Sequence, residues 1–180
     1  MTEHVAPQII HVSWETYFKL LGTLIRNIHD SGFRPKQIVC IARGGLIPGE
    51  ILSRTLKAPL AVISVASYPD QKTQQEAMNF SRDLTTAKPL IREAVLIVDD
   101  LTETGKTLEM TREWLCWWYG IETAQVKTAT VWHKIWSAFT PDFYAERIDP
   151  DPATGARPWI EQPQEAFCKS LVESGICKGI

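Results

Sequence analysis

AVLIVDDLTETGKTL, residues 94–108, decides how this chain is read. Five apolar residues lead straight into Asp99 and Asp100. A short loop with Gly105 follows, and a helical pattern runs from about Thr104 to Tyr119. So short an apolar run suits a strand buried on both faces. The opening turn of a helix has backbone N–H groups without intrahelical partners. The unit therefore sets two carboxylates beside a helix N-terminus able to hold an anion.

Working outward, the same strand-then-helix grammar repeats. IVCIA (38–42) is a short apolar run, followed by RGGLIPGE and a helix to about Leu56. LAVISVAS (60–67), VKTATVW (126–132) and DFYAERI (142–148) read as further strands. Before them, Trp14, Phe18, Leu21, Leu24, Ile25 and Ile28 recur at helical spacing over 13–29, behind a Ser13 cap and ahead of Gly32 and Pro35. Between the second and third strands, residues 68–90 turn polar. That is long for a connection in a compact domain and reads as a functional loop. Strands alternating with helices predict an α/β fold, a mainly parallel twisted sheet flanked by helices. Ligands in such sheets sit at the carboxyl ends of the strands, where both RGG and DDLTETGKT begin.

Composition narrows the class. The 180 residues suffice for one domain with a full core, and 44% hydrophobic with 22% charged residues is ordinary for a globular protein. A net charge of −2 without a Lys/Arg run argues against nucleic acid as partner. No apolar run approaches the ~20 residues of a membrane span, and the N-terminus lacks the basic and apolar regions of a signal peptide. Cys40, Cys116, Cys168 and Cys177 form no CxxC pair and read as reduced thiols of a cytoplasmic protein.

The third helix carries two stripes. Leu108, Thr111, Leu115 and Trp118 are expected to face inward, while Met110, Trp114 and Trp117 fall on another side. Either the tail or a neighbouring loop covers the second stripe, or it is a subunit interface.

Three chemistries use an apolar strand that ends in acids. The letters GKT at 105–107 hint at a nucleotide-hydrolase P-loop, but that pattern needs Gly at position 100, which is Asp. A receiver-type acid cluster belongs to a domain's first strand, whereas this strand is the third. A sugar-phosphate site fits. Adjacent carboxylates accept hydrogen bonds from adjacent ribose hydroxyls and attract Mg²⁺. Residues 103–107 supply amides and hydroxyls for phosphate, with Gly105 allowing close approach.

With these residues in view, LIVDDLTETGKTL resembles the phosphoribosyl pyrophosphate signature of type I phosphoribosyltransferases. VCIARGGLIPGEIL resembles the pyrophosphate loop of the purine enzymes, and WIEQP (159–163) the purine-capping tail of the xanthine–guanine phosphoribosyltransferases. The resemblance spans roughly 35–165. It implies one phosphoribosyltransferase domain over 1–180, with a core at about 35–140 and a small C-terminal hood at about 141–180. It implies transfer of phosphoribosyl to an oxopurine, Mg²⁺ dependence and a homodimer or homotetramer. Asp99 and Asp100 would meet the ribose hydroxyls, with Asp100 near Mg²⁺. Glu103, Thr104, Gly105, Lys106 and Thr107 would hold the 5′-phosphate, and Arg43 and Gly44 the pyrophosphate. Lys134 would bond the 6-oxo group, Trp159 would stack on the purine, and the Ile160 carbonyl would face the 2-position. The resemblance also implies a cis peptide at Ala42–Arg43.

Relatives commonly have Asp where Glu103 stands, near purine N7, where it assists proton transfer. Relatives place a basic residue in the 68–90 loop, where Gln74 aligns and Lys72 lies two positions earlier. These departures keep two alternatives open: a non-catalytic sensor of phosphoribosyl pyrophosphate or nucleotides, and a transferase for a pyrimidine base. Lys134 and WIEQP favour the oxopurine enzyme.

Overall fold

A computed structural model describes residues 8–69 and 76–176. In chain order they form β1 (Ile9–His11), α1 (Trp14–Asp30), β2 (Gln37–Ala42), α2 (Leu46–Leu56), β3 (Leu60–Pro69), β4 (Glu76–Phe80) and β5 (Thr85–Thr86). Then come β6 (Val95–Thr102), α3 (Lys106–Tyr119), β7 (Val126–Lys134), β8 (Phe143–Ile148), β9 (Trp159–Glu161) and α4 (Pro163–Glu173). The chain divides into a larger unit, 21–148, and a smaller one made of 1–20 and 149–180.

The larger unit is built on one sheet with the order β4-β3-β2-β6-β7-β8. The strands β3, β2, β6, β7 and β8 run parallel. The runs Ile38–Ala42 of β2 and Val95–Val98 of β6 are apolar, because helices cover both faces. Alternation along each strand divides the core in two. Val39, Ile41, Val95 and Ile97 pack with Leu108 and Leu115 of α3. Ile38, Leu96 and Val98 pack with Leu24 and Ile28 of α1 and Leu52 of α2. Cys40 belongs to this interior, and burial pushes its thiol up to about 11.

The parallel order has a topological consequence. The chain passes from β2 to β3 on one side, then returns to lay β6 on the other. The order reverses between β2 and β6, and the crevice at their carboxyl ends is where such sheets bind ligands. RGG follows β2, and the DD loop ends β6.

Several expectations are revised. The polar stretch after β3 is not all loop: β3 runs on to Pro69 and pairs antiparallel with β4, while β5 pairs with β3 on its other part. Phe80 of β4 anchors this arm by stacking on Trp114, centroids 5.6 Å apart at 3°. Residues 70–75, with Lys72 and Gln74, lie outside the described residues, as does Cys177. Trp114 is thus covered by a neighbouring segment. Trp118, expected inward, is 45% exposed and stacks on Trp114 from the last helical turn; Trp117 is 77% exposed. Residues 143–148, expected in the hood, form an edge strand of the main sheet.

In the smaller unit, β1 and β9 pair in parallel, Ile9 beside Trp159 and Ile10 beside Ile160. Ser13 caps α1 by accepting from the Thr16 N–H at 3.1 Å. Helix α4 was not anticipated, although its start carries a reciprocal cap: Gln162 and Glu165 bond each other's backbone, with Pro163 in the first turn.

Candidate active site

The site grows from two loops whose glycines are dictated by contact. The Ala42–Arg43 peptide is cis. At Gly44 an added Cβ would overlap the Asp100 carboxyl group, and at Gly45 it would strike the carbonyls of Val98 and Ile41. The RGG turn therefore lies directly on the end of β6. Arg43 is exposed and makes no ion pair among the described residues. Gly105 has φ +82, and a Cβ there would strike Phe139 and Ser137. The β7–β8 loop thus braces the DD loop, with the Ala138 N–H donating to the Thr104 carbonyl at 3.1 Å.

Between these supports lies a cavity of about 180 Å³ lined by Asp99, Leu101, Thr102, Glu103, Thr104, Gly105, Thr107 and Leu108. That is several times the ~30 Å³ share of one water, room for a phosphate-sized group. Of the expected residues, Asp99, Glu103, Thr104, Gly105 and Thr107 line it; Lys106 begins α3 beside it.

The Asp99 and Asp100 carboxyl groups meet side chain to side chain at the RGG turn. Asp100 lies against Gly44, and its carboxylate accepts the Leu101 N–H at 2.7 Å. The Asp100 N–H donates to Asp99 at 3.0 Å. Asp99 is buried, and its carboxyl is held well above the usual carboxylate range. Burial is the main cause and the Asp100 charge the second, against hydrogen bonds from the Asp100 and Gly45 backbones.

The end of β7 supplies the opposite charge. Lys134 is 2% exposed, and its ammonium donates to Glu103 Oε2. Glu103 Oε1 accepts from the Trp136 indole Nε1 at 3.0 Å. Trp136 was not singled out from the sequence; an indole two residues after Lys134 was its only signal. His133 is buried beside this pair, its Nδ1 2.9 Å from the Thr102 hydroxyl. Burial first, and Arg147 second, lower its pKa. Trp159 and Ile160 lie on β9 in the smaller unit, the former 55% exposed and the latter buried.

Fold and loops together define a doubly wound α/β protein with a glycine-turned cavity at its switch point. The chain belongs to the phosphoribosyl transferase domain family, whose profile matches residues 13–166. It is similar to a curated xanthine-guanine phosphoribosyltransferase from Idiomarina loihiensis, 34% identical over 103 residues. That match spans 57% of this chain and 62% of the relative, less than two thirds of its length. A crystal structure of a purine phosphoribosyltransferase from Pyrococcus horikoshii is 30% identical, with a TM-score of 0.70 over 88% of this chain and 94% of that one. The xanthine-guanine-hypoxanthine phosphoribosyltransferase of Helicobacter pylori shares the fold at 23% identity, with a TM-score of 0.74 over 92% and 99% of the two chains.

Proposed function

We propose that the protein transfers the phosphoribosyl group of phosphoribosyl pyrophosphate to an oxopurine. The observation that carries this is the convergence, on neighbouring strand ends, of a carboxylate pair, a glycine-turned anion cavity and a buried lysine paired with a carboxylate. The backbone N–H groups and hydroxyls of 104–107 hold the 5′-phosphate. Asp99 and Asp100 accept from the ribose hydroxyls, and their charge favours the oxocarbenium-like sugar. Arg43 and the Gly44 backbone receive the pyrophosphate; a guanidinium suits it because its planar fork matches phosphate oxygens.

Purine N9 then attacks C1′. The C1′–oxygen bond to pyrophosphate breaks, and its electron pair leaves with the pyrophosphate. The proton on N7 passes to Glu103. Lys134 donates to the 6-oxo group, whereas the 6-amino group of adenine would set donor against donor. A role for Trp159 and the Ile160 carbonyl toward the base rests on the resemblance of WIEQP alone.

The donor set suits Mg²⁺. Asp99 and Asp100 are two acids that repel one another, and no cluster of three His, Cys, Asp or Glu exists among the described residues. Asp100 would hold the ion through water, and phosphate oxygens would fill remaining positions. Bound there, it supplies charge neutralisation for the pyrophosphate. A homodimer or homotetramer belongs to the same reading, supported by the exposed Trp117 and Trp118. A monomer in sedimentation at micromolar concentration would remove it.

The deciding experiment mixes protein, MgCl₂ and phosphoribosyl pyrophosphate separately with xanthine, guanine, hypoxanthine, adenine and uracil, following nucleotide formation by absorbance. Turnover of oxopurines alone is expected. Turnover of adenine or uracil alone would overturn the role given to Lys134. No turnover with any base would overturn the enzyme reading.

A further inference from the structure

Trp136 stands in the loop between β7 and β8, half-buried and outside both core clusters. Its polar edge is committed, because Nε1 donates to Glu103 Oε1 at 3.0 Å. Its ring lies 5.5 Å from the Lys134 ammonium, which itself donates to Glu103 Oε2. Backbone hydrogen bonds hold the loop in register with the site: Ser137 N–H to the Lys134 carbonyl at 2.9 Å and Ala138 N–H to the Thr104 carbonyl at 3.1 Å.

An ammonium has three donors on a flexible stem and cannot by itself set the plane of a carboxylate. An indole has one N–H on a rigid ring, so its direction is fixed once the ring is placed. Two donors on two different oxygens fix both the position and the plane of the Glu103 carboxylate. Glu also carries one more rotatable bond than Asp, and long side chains lose more entropy when ordered. Withdrawing the carboxylate by one C–C bond, about 1.5 Å, would break a 3.0 Å hydrogen bond. The length of the side chain at 103 and the indole at 136 are therefore matched.

We propose that Trp136 is a positioning residue for Glu103, holding its carboxylate so that the Lys134 donor and the Glu103 acceptor meet the edge of the base as one unit. The proposal deepens the transferase reading and rests on it. Its reach is confined to proton transfer at the base and excludes binding of the sugar phosphate.

Two measurements test it. In steady-state kinetics, Trp136→Phe keeps the ring and removes the donor. It is expected to lower kcat about tenfold, the scale of one charge-assisted hydrogen bond, with KM for phosphoribosyl pyrophosphate within about twofold. In the Glu103→Gln background the same change is expected to have almost no further effect, since the group it positions is gone. Additive losses, or an unchanged kcat, would overturn the proposal.

The second measurement does not need turnover. The indole ¹⁵N–¹H resonance that Trp136→Phe deletes is expected to shift in Glu103→Met, where the acceptor is lost and Trp136 is intact. An unmoved resonance would overturn the hydrogen bond itself. A wild-type protein inactive on every base would instead defeat the transferase reading, leaving this spectrum to judge the geometry alone.

Discussion

Two carboxylate sites lie four residues apart on one strand end and follow opposite electrostatics. Asp99 and Asp100 are neighbours of like charge, and the buried one is driven toward its protonated form. Glu103 meets a buried ammonium and an indole N–H, so its charge is compensated in the free protein. The first site is unfavourable until a ligand brings hydroxyls or a cation, and the second is satisfied before any base arrives. In the proposed mechanism the sugar end gains its charge partners from the substrate. The base end is preorganised, which keeps reorganisation small when the proton moves.

The strongest way to break this contrast is Glu103→Gln. Loss of a positioned acid–base group typically costs about 10²- to 10⁴-fold. We expect kcat to fall within that range, with modest change in KM. We also expect a stability loss of about 1–3 kcal/mol, because the buried Lys134 side chain would lose its charged partner. An unchanged kcat, with the chemical step shown to be rate-limiting, would remove Glu103 from the mechanism.

Asp99→Asn should act in opposite directions on activity and stability. We expect kcat/KM to fall about 10²- to 10³-fold and the thermal midpoint near pH 7 to rise, because a repelled buried charge is removed. The sign follows from linkage. A carboxyl whose folded pKa is raised binds its proton more tightly folded than unfolded, so acid stabilises the wild type relative to the variant. The stability gap should therefore close as pH falls toward the ordinary Asp value near 3.8. A gap that widens toward acid would contradict the assignment.

Gly44→Ala sharpens the contrast from the backbone side. The added methyl meets the Asp100 carboxyl group, so the RGG turn and the end of β6 must separate. Overpacking of this kind costs about 1–3 kcal/mol. Calorimetric affinity for phosphoribosyl pyrophosphate should drop while the Glu103–Lys134 pair survives. Wild-type affinity in a folded variant would show that close approach of the turn does not matter.

Much of this was legible in the chain, for physical reasons. Short apolar runs with period-free hydrophobicity announce strands buried on both faces; IVCIA falls within one residue of β2, whereas the AVLIV strand runs four residues further, to Thr102. Asp99, Glu103, Thr104, Gly105 and Thr107 share one cavity because they are local neighbours on one loop. What escaped depended on long-range pairing. The short β1–β9 ladder joins residues 150 positions apart, as Ile9 and Trp159 show. The β4 arm is polar, and it is held through Phe80 on Trp114 rather than by its own pattern. Trp136 reaches Glu103 across 33 residues, and a single side-chain hydrogen bond leaves no periodicity to read. Helix α4 is a different case, since Gln-Pro-Gln-Glu is a local start signal that compositional reading of the tail passed over.

The smallest expected effect tests whether ion pairing as such distinguishes the site. Lys36 and Glu93 pair at 2.5 Å, just ahead of β2 and β6, at the amino ends of the same two strands. The geometry is close and the Lys36 ammonium lowers the Glu93 pKa, yet the side chains are 58% and 67% exposed. Water and salt screen such a pair, and ordering two long side chains offsets most of the attraction. Lys36→Ala and Glu93→Ala, singly or together, should leave both turnover and the thermal midpoint without measurable change, in low or moderate salt. The contrast with Glu103→Gln would then isolate burial and position, not charge pairing, as the difference between the two ends of the sheet. If Lys36→Ala instead lowered kcat, coupling would have to run the length of β2 and β6, and the placement of the chemistry at their carboxyl ends alone would fail.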